Sequence, residues 1–136
     1  MIIVTGGAGF IGSNLIYRLN NIKNEANIII CDLVNSSLKK NYLKKIKYKK
    51  IITPSNFFNF LNKNKKKIDY IFHLGAISST TSENFQKLKK NNFEFSIKIL
   101  EFCTINKVGL IYASSASTYG NGNNGFNDQE AQSYLK

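Results

Sequence analysis

Short, nearly unbroken apolar runs alternate along this chain with longer stretches in which apolar residues recur every three or four positions. The runs are Ile2-Ile3-Val4, Ile28-Ile29-Ile30-Cys31, Ile68-Asp69-Tyr70-Ile71-Phe72-His73-Leu74 and Gly109-Leu110-Ile111-Tyr112-Ala113. Their length and β-branched content predict strands buried on both faces of a parallel sheet. A weaker run over 48–53 predicts one further strand. Pro54, the sole proline, closes it, and its missing N–H suits the first turn of a helix over 55–65. The spacing of Ile11, Leu15, Ile16 and Leu19 predicts an amphipathic helix after the first strand. Asn35-Ser36-Ser37 reads as a helix start, while 38–48 is mixed. A long helix is expected over roughly 81–106, its apolar positions Phe85, Leu88, Phe93, Phe95, Ile97, Ile99, Leu100 and Phe102 keeping one broad face buried.

Strand and helix therefore alternate through about five strands, which predicts an α/β, Rossmann-like doubly wound parallel sheet with flanking helices. At 136 residues the chain is one domain's worth, enough to bury about two-thirds of its unfolded surface. Ligands of such sheets bind outside the carboxyl ends of the strands, so those ends are where chemistry is sought.

The first strand runs into Thr5-Gly6-Gly7-Ala8-Gly9-Phe10-Ile11-Gly12. Gly6, Gly9 and Gly12 stand at three-residue spacing between a strand and a helix. The first suits a tight turn, the second lets backbone approach a pyrophosphate, and the third lets the helix pack closely. The helix N-terminus so placed favours negative charge. An acid some twenty residues on completes the dinucleotide pattern, and Asp32 closes the second apolar run. It is placed to accept hydrogen bonds from an adenosine ribose or, more plainly, to act as a surface cap for the next segment. Lys39 is placed to meet a ribose 2′-phosphate or to belong to a lysine-rich surface. Gly75-Ala76, closing the fourth strand, permits close approach of a cofactor or simply close packing.

The formal charge of +11 changes little in this picture. Every basic residue but Arg18 is lysine, and Asn and Ile are about as abundant, as a biased base composition in the gene would give. With a single arginine for bidentate phosphate contacts, the runs over 39–50 and 63–67 read as solvated surface, and no nucleic-acid partner is expected. No apolar run approaches the roughly 18 residues of a membrane span, and no basic leader precedes an apolar stretch, so a cytoplasmic protein is expected. Cys31 and Cys103 lack metal-ligand spacing and read as buried small hydrophobes; the lone His73 makes no metal cluster.

Ser114 and Ser115, ending the fifth strand, are the most suggestive catalytic pair. A hydroxyl there can hydrogen-bond a substrate oxygen during proton or hydride transfer, or else cap the strand end in a local turn. No histidine and no nucleophile elbow accompany them, which argues against a hydrolase triad. A general base is missing.

Together the glycine turn, Asp32, His73-Leu74-Gly75-Ala76 and Tyr112-Ala113-Ser114-Ser115-Ala116-Ser117-Thr118-Tyr119-Gly120 resemble the extended short-chain dehydrogenase/reductase family of nucleotide-sugar enzymes. Gly75-Ala76-Ile77-Ser78-Ser79-Thr80-Thr81 and the Asn91-Asn92 pair resemble its ADP-heptose 6-epimerases, over Met1 to at least Asp128. The resemblance implies a bound NADP, or NAD, that transiently oxidises an ADP-heptose at C6, in lipopolysaccharide core biosynthesis. It implies cofactor contacts by Phe10, Ile11, Asp32, Leu33, Lys39, Leu74, Gly75, Ala76, Ile77, Ser78 and Asn91, a catalytic role for Ser115, and a homo-oligomer for the full-length member. Where the family often carries a second cofactor-contacting lysine this chain has Pro54, with Lys49 and Lys50 nearby, which leaves NADP against NAD open. The family's Tyr-x-x-x-Lys motif and sugar-binding part are expected beyond Lys136. Residues 1–136 thus read as an incomplete NAD(P)-binding domain, inactive alone and marginally stable. A nucleotide-sugar 4-epimerase or dehydratase, against which the 78–81 run argues, and a non-catalytic NAD(P)-binding remnant are the alternatives.

Overall fold

Each apolar run forms a strand, and the strands lie side by side in one parallel sheet. The computed structural model describes residues 1–23, 27–77, 85–123 and 125–126. In chain order the elements begin with β1 (Ile2–Thr5), α1 (Phe10–Lys23), β2 (Ile28–Cys31), α2 (Ser37–Leu43) and β3 (Lys50–Ile52). A 3-10 turn, Pro54–Asn56, then leads into α3 (Phe57–Asn64), a second 3-10 turn (Lys65–Lys67) and β4 (Tyr70–His73). Beyond come α4 (Phe85–Leu88), a π-helix (Lys89–Glu94), α5 (Phe95–Asn106), β5 (Gly109–Tyr112) and a 3-10 turn over Ala116–Tyr119.

The sheet order is β3-β2-β1-β4-β5, every pair parallel. From β1 the chain winds outward to β3, then returns past β1 to β4, so the direction reverses between β1 and β4. That reversal leaves a crevice at the carboxyl ends of the two strands. Side-chain alternation along the strands divides the core into two layers. Ile3, Ile29 and Ile71 pack with Phe57 and Leu61 of α3 and with Ile99 and Phe102 of α5. Val4, Ile28 and Ile30 pack on the other face with Ile16 of α1 and Leu43 of α2. Cys31 and Cys103 are buried free thiols, and burial pushes the Cys31 thiol up to about 12, leaving it protonated and inert.

Three sequence expectations need correction. Pro54 opens a 3-10 turn, and α3 begins only at Phe57. In the stretch expected as one long helix, residues 81–84 lie outside the described residues, and a π-helical segment interrupts the rest. Its apolar residues do not share one buried face. Ile99 and Phe102 meet the sheet, whereas Phe85, Phe93, Ile97 and Leu100 are exposed, because apolar residues circle this stretch and only one side faces the strands. Likewise Ile11, counted in the apolar stripe of the first helix, is 69 % exposed at the crevice, while Ile16 is fully buried. By contrast the poorly patterned 38–48 holds a real helix. Ser36 caps α2 by accepting from the Lys39 N–H.

Candidate functional site

The crevice at the β1/β4 reversal is a cavity of about 710 Å³. Its floor is the glycine turn. The Gly6 N–H donates to Cys31 O (2.9 Å), the Gly9 N–H to Gly6 O (2.9 Å) and the Ser13 N–H to Gly9 O (2.9 Å), so the turn is tied to β2 and passes directly into α1. Gly6 has φ +69, a conformation that disfavours side chains, and a Cβ there would lie 2.8 Å from Gly75 Cα. A Cβ on Gly12 would sit 2.7 Å from Gly7 Cα and closer still to the Gly6 carbonyl oxygen. Both glycines are therefore required by the fold itself. Gly9 differs, because a Cβ there would meet only Gly6 O, at 3.2 Å, and the residue lines the cavity. The bare backbone at Gly9 leaves room for a ligand.

Asp32, directly after β2, is only 8 % exposed at the cavity wall and fully engaged. Its Oδ2 accepts from the Ala8 N–H of the glycine turn at 3.0 Å. Its Oδ1 accepts from the Leu33 N–H at 2.7 Å and from the Lys39 ammonium at 2.6 Å. Lys39 also donates to Leu33 O at 3.0 Å. Sequence alone assigns the carboxylate and the lysine to separate parts of a ribose and does not foresee this pairing. In the fold one turn of α2 brings them together, and the pair carries no net charge.

On the opposite side Leu74, Gly75, Ala76 and Ile77 line the cavity as the chain leaves β4, and Asn91 reaches it from the π-helix. The Asn91 amide donates to Lys87 O at 2.8 Å. The structure thus gathers Gly6, Gly9, Phe10, Ile11, Gly12, Asp32, Leu33 and Lys39 around one space with the β4 exit and Asn91. Ser78 lies outside the described residues. Ser115 is not brought to this cavity. It caps the 3-10 turn after β5, accepting from the Ser117 N–H at 3.2 Å and donating to Ser117 Oγ at 3.0 Å, and it is exposed. Sequence reasoning missed Asn35, Lys87 and Phe95, which also line the cavity. None belongs to a short motif, and only the fold reveals them.

The model of the NAD dependent epimerase/dehydratase family matches residues 2–135. The chain belongs to that family. Among curated relatives, it is 45 % identical over 98 % of its length to the ADP-L-glycero-D-manno-heptose-6-epimerase of Brachyspira hyodysenteriae, covering 43 % of that protein. It is 37 % identical over its whole length to the enzyme of the same name from Fusobacterium nucleatum, covering 41 % of it. The crystal structure of Helicobacter pylori ADP-L-glycero-D-manno-heptose-6-epimerase superposes with a TM-score of 0.71 at 34 % identity, over 88 % of this chain and 40 % of that one. The chain spans about two-fifths of the length of each.

For a member of the NAD dependent epimerase/dehydratase family, the fit of the group that the family name implies can be tested on the cavity itself. A glycine bordering the cavity just before α1, a volume suited to a cofactor and a charge-neutral Asp32–Lys39 pair beside it match a dinucleotide's pyrophosphate and ribose. The residues present fit a nicotinamide dinucleotide.

Proposed function

We propose that this chain is the cofactor-binding part of an NADP-using epimerase that inverts C6 of an ADP-heptose, in lipopolysaccharide core heptose biosynthesis. One observation supports the cofactor half most directly. Gly9 is the least crowded glycine of the Gly6, Gly9 and Gly12 motif, a Cβ there meeting only the Gly6 carbonyl oxygen at 3.2 Å, and it borders the cavity. The sugar half rests on the likeness to the Brachyspira and Fusobacterium proteins.

In this reading Gly9 and the first residues of α1 hold the pyrophosphate, and Asp32, Leu33 and Lys39 hold the adenosine ribose. Because Lys39 already neutralises Asp32, the pair does not repel a 2′-phosphate as a lone carboxylate would, which supports acceptance of NADP beside NAD. A bound nicotinamide supplies reversible hydride acceptance. Ser115 contributes a hydroxyl that hydrogen-bonds the sugar oxygen, once its present bond to Ser117 Oγ is exchanged. No tyrosine within the 136 residues is followed by lysine at the fourth position, so the proton-accepting group is assigned to sequence beyond these residues. No helix among the described residues is long and apolar enough to cross a membrane.

The test is an assay of the polypeptide that carries this chain, with NADP or NAD bound, against ADP-D-glycero-D-manno-heptose and UDP-galactose. Turnover of the heptose alone is the expected result. Turnover of UDP-galactose alone would replace the sugar assignment, and dinucleotide binding without turnover of either sugar would reduce the function to cofactor binding.

A further inference from the structure

His73 is only 2 % exposed at the end of β4, between the rings of Phe95 (5.9 Å) and Tyr112 (5.5 Å), and it belongs to no catalytic pattern in the sequence. It is nonetheless the centre of an unbroken hydrogen-bonded chain. Its Nδ1 lies 2.6 Å from Thr5 Oγ1, and its Nε2 lies 2.8 Å from Ser96 Oγ. Thr5 Oγ1 accepts from the Gly75 N–H at 2.9 Å. Ser96 Oγ donates to Asn92 O at 2.5 Å. Asn92 in turn clamps Ile77, its Oδ1 accepting from the Ile77 N–H (2.8 Å) and its Nδ2 donating to Ile77 O (3.0 Å). Both ends of the chain thus grip the segment over 75–77, which walls the cavity.

The proton positions in this chain can be deduced. A carbonyl oxygen only accepts, so the single hydroxyl proton of Ser96 is committed to Asn92 O. Ser96 Oγ must then accept from His73, which places a proton on Nε2. In a neutral ring Nδ1 is an acceptor and takes the Thr5 hydroxyl proton, leaving the Thr5 lone pairs for the Gly75 N–H. Every group is satisfied in one direction only, from Thr5 through His73 and Ser96 to the backbone of the π-helix. Burial lowers the affinity of His73 for a second proton, which agrees with the neutral ring.

The π-helix explains how adjacent asparagines serve two tasks. Its wider turn rotates successive residues by less than the roughly 100° of an α-helix, so Asn91 borders the cavity while Asn92 holds the cavity wall. Order reverses between β1 and β4, and the ribose pair sits on the β2 side. The second nucleotide half of a dinucleotide therefore falls on the β4 side, against 75–77.

We propose that Thr5, His73, Ser96 and Asn92 form a one-way relay, with His73 in the Nε2–H tautomer, that positions the 75–77 wall for the nicotinamide half of the cofactor. These are positioning residues, and the proposal rests on the dinucleotide reading of the crevice. Two measurements on the polypeptide that carries this chain test it. The tautomer is read by long-range 15N NMR of the imidazole, assigned through its loss in His73→Gln. Affinities for NADP and for ADP are then compared by calorimetry in Ser96→Ala, Ser96→Thr and Asn92→Ala.

An Nε2–H ring is expected. With it should come a loss of about tenfold in NADP affinity in Asn92→Ala and about threefold in Ser96→Ala, restored in Ser96→Thr, with ADP affinity unchanged. An Nδ1–H ring would overturn the relay, and equal weakening of ADP and NADP would overturn the positioning role in favour of general destabilisation. If the unsubstituted protein binds neither ligand, the proposed function fails and the positioning role with it, whereas the tautomer still decides the relay separately.

Discussion

The strand ends on the two sides of this sheet are built differently. At β1, β2 and β4 the polar groups turn inward and are matched. Asp32 is held from three directions, Thr5 and His73 are almost fully buried and bonded, and the glycine turn is tied to β2 through backbone. At the end of β5 Tyr112 is 57 % exposed, and among the described residues Ser115 bonds only within its own short turn. A buried, satisfied polar network fixes geometry, and an exposed turn does not. The difference shows that the β1, β2 and β4 side of the crevice is held by buried, matched bonds, while the turn carrying Ser115 is exposed and lies outside the cavity lining.

Substitutions can break that contrast, and the largest effect is expected at Gly12. A methyl there meets the backbone of Gly6 and Gly7, so Gly12→Ala should lower unfolding stability by about 3 kcal/mol, measurable by urea denaturation. Asp32→Ala strands the Ala8 and Leu33 N–H groups and unpairs Lys39. A loss of about 2 kcal/mol is expected in the same assay, with dinucleotide binding abolished.

The buried histidine sharpens the contrast through pH. In the folded state His73 holds its proton more weakly than a histidine at its ordinary value of 6.5, so the unfolded chain binds more protons as pH falls below that value. Its stabilising contribution is present above pH 6.5 and is lost as pH falls towards the folded-state value, by at most about 1.4 kcal/mol per pH unit. Urea midpoints between about pH 7.5 and about pH 5 should show this slope, and His73→Gln should flatten it.

Smaller effects on folding separate the two regions most cleanly. Gly9→Ala is expected to change stability by less than about 1 kcal/mol while weakening dinucleotide binding at least about tenfold. Ser115→Ala, at an exposed turn, should move stability by no more than about 0.5 kcal/mol and leave dinucleotide affinity unchanged. A dinucleotide affinity that tracked Ser115 would show that the β5 end takes part in dinucleotide binding.

How much of this is legible in the chain depends on the range of the interactions. The glycine turn and Asp32 are legible because their geometry is set within a few residues or by an expected strand end, and the apolar runs report the parallel strands directly. The Asp32–Lys39 pair is half legible, since both residues stand out but their contact depends on α2, whose pattern is blurred by lysine and asparagine. The relay through His73 leaves no local trace. Thr5 lies 68 residues before it and Ser96 lies 23 after, so neither spacing carries a signal until strands β1 and β4 pair. The π-helix is hidden for a related reason, because apolar residues all round the 85–102 stretch fit an unbroken helix equally well. Ser115 is legible as a strand-end hydroxyl, and both of its readings, catalytic group and turn cap, begin from the cap that the structure displays.

The most direct test of the central claim is a calorimetric titration of NADP into the polypeptide that carries this chain and into its Gly9→Val variant, with melting temperatures measured alongside. Saturable one-to-one binding that disappears in the variant, while the variant still melts cooperatively as a folded protein, is the expected result. Binding of equal strength in both proteins, or none in either, would contradict the assignment of this crevice to a nicotinamide dinucleotide.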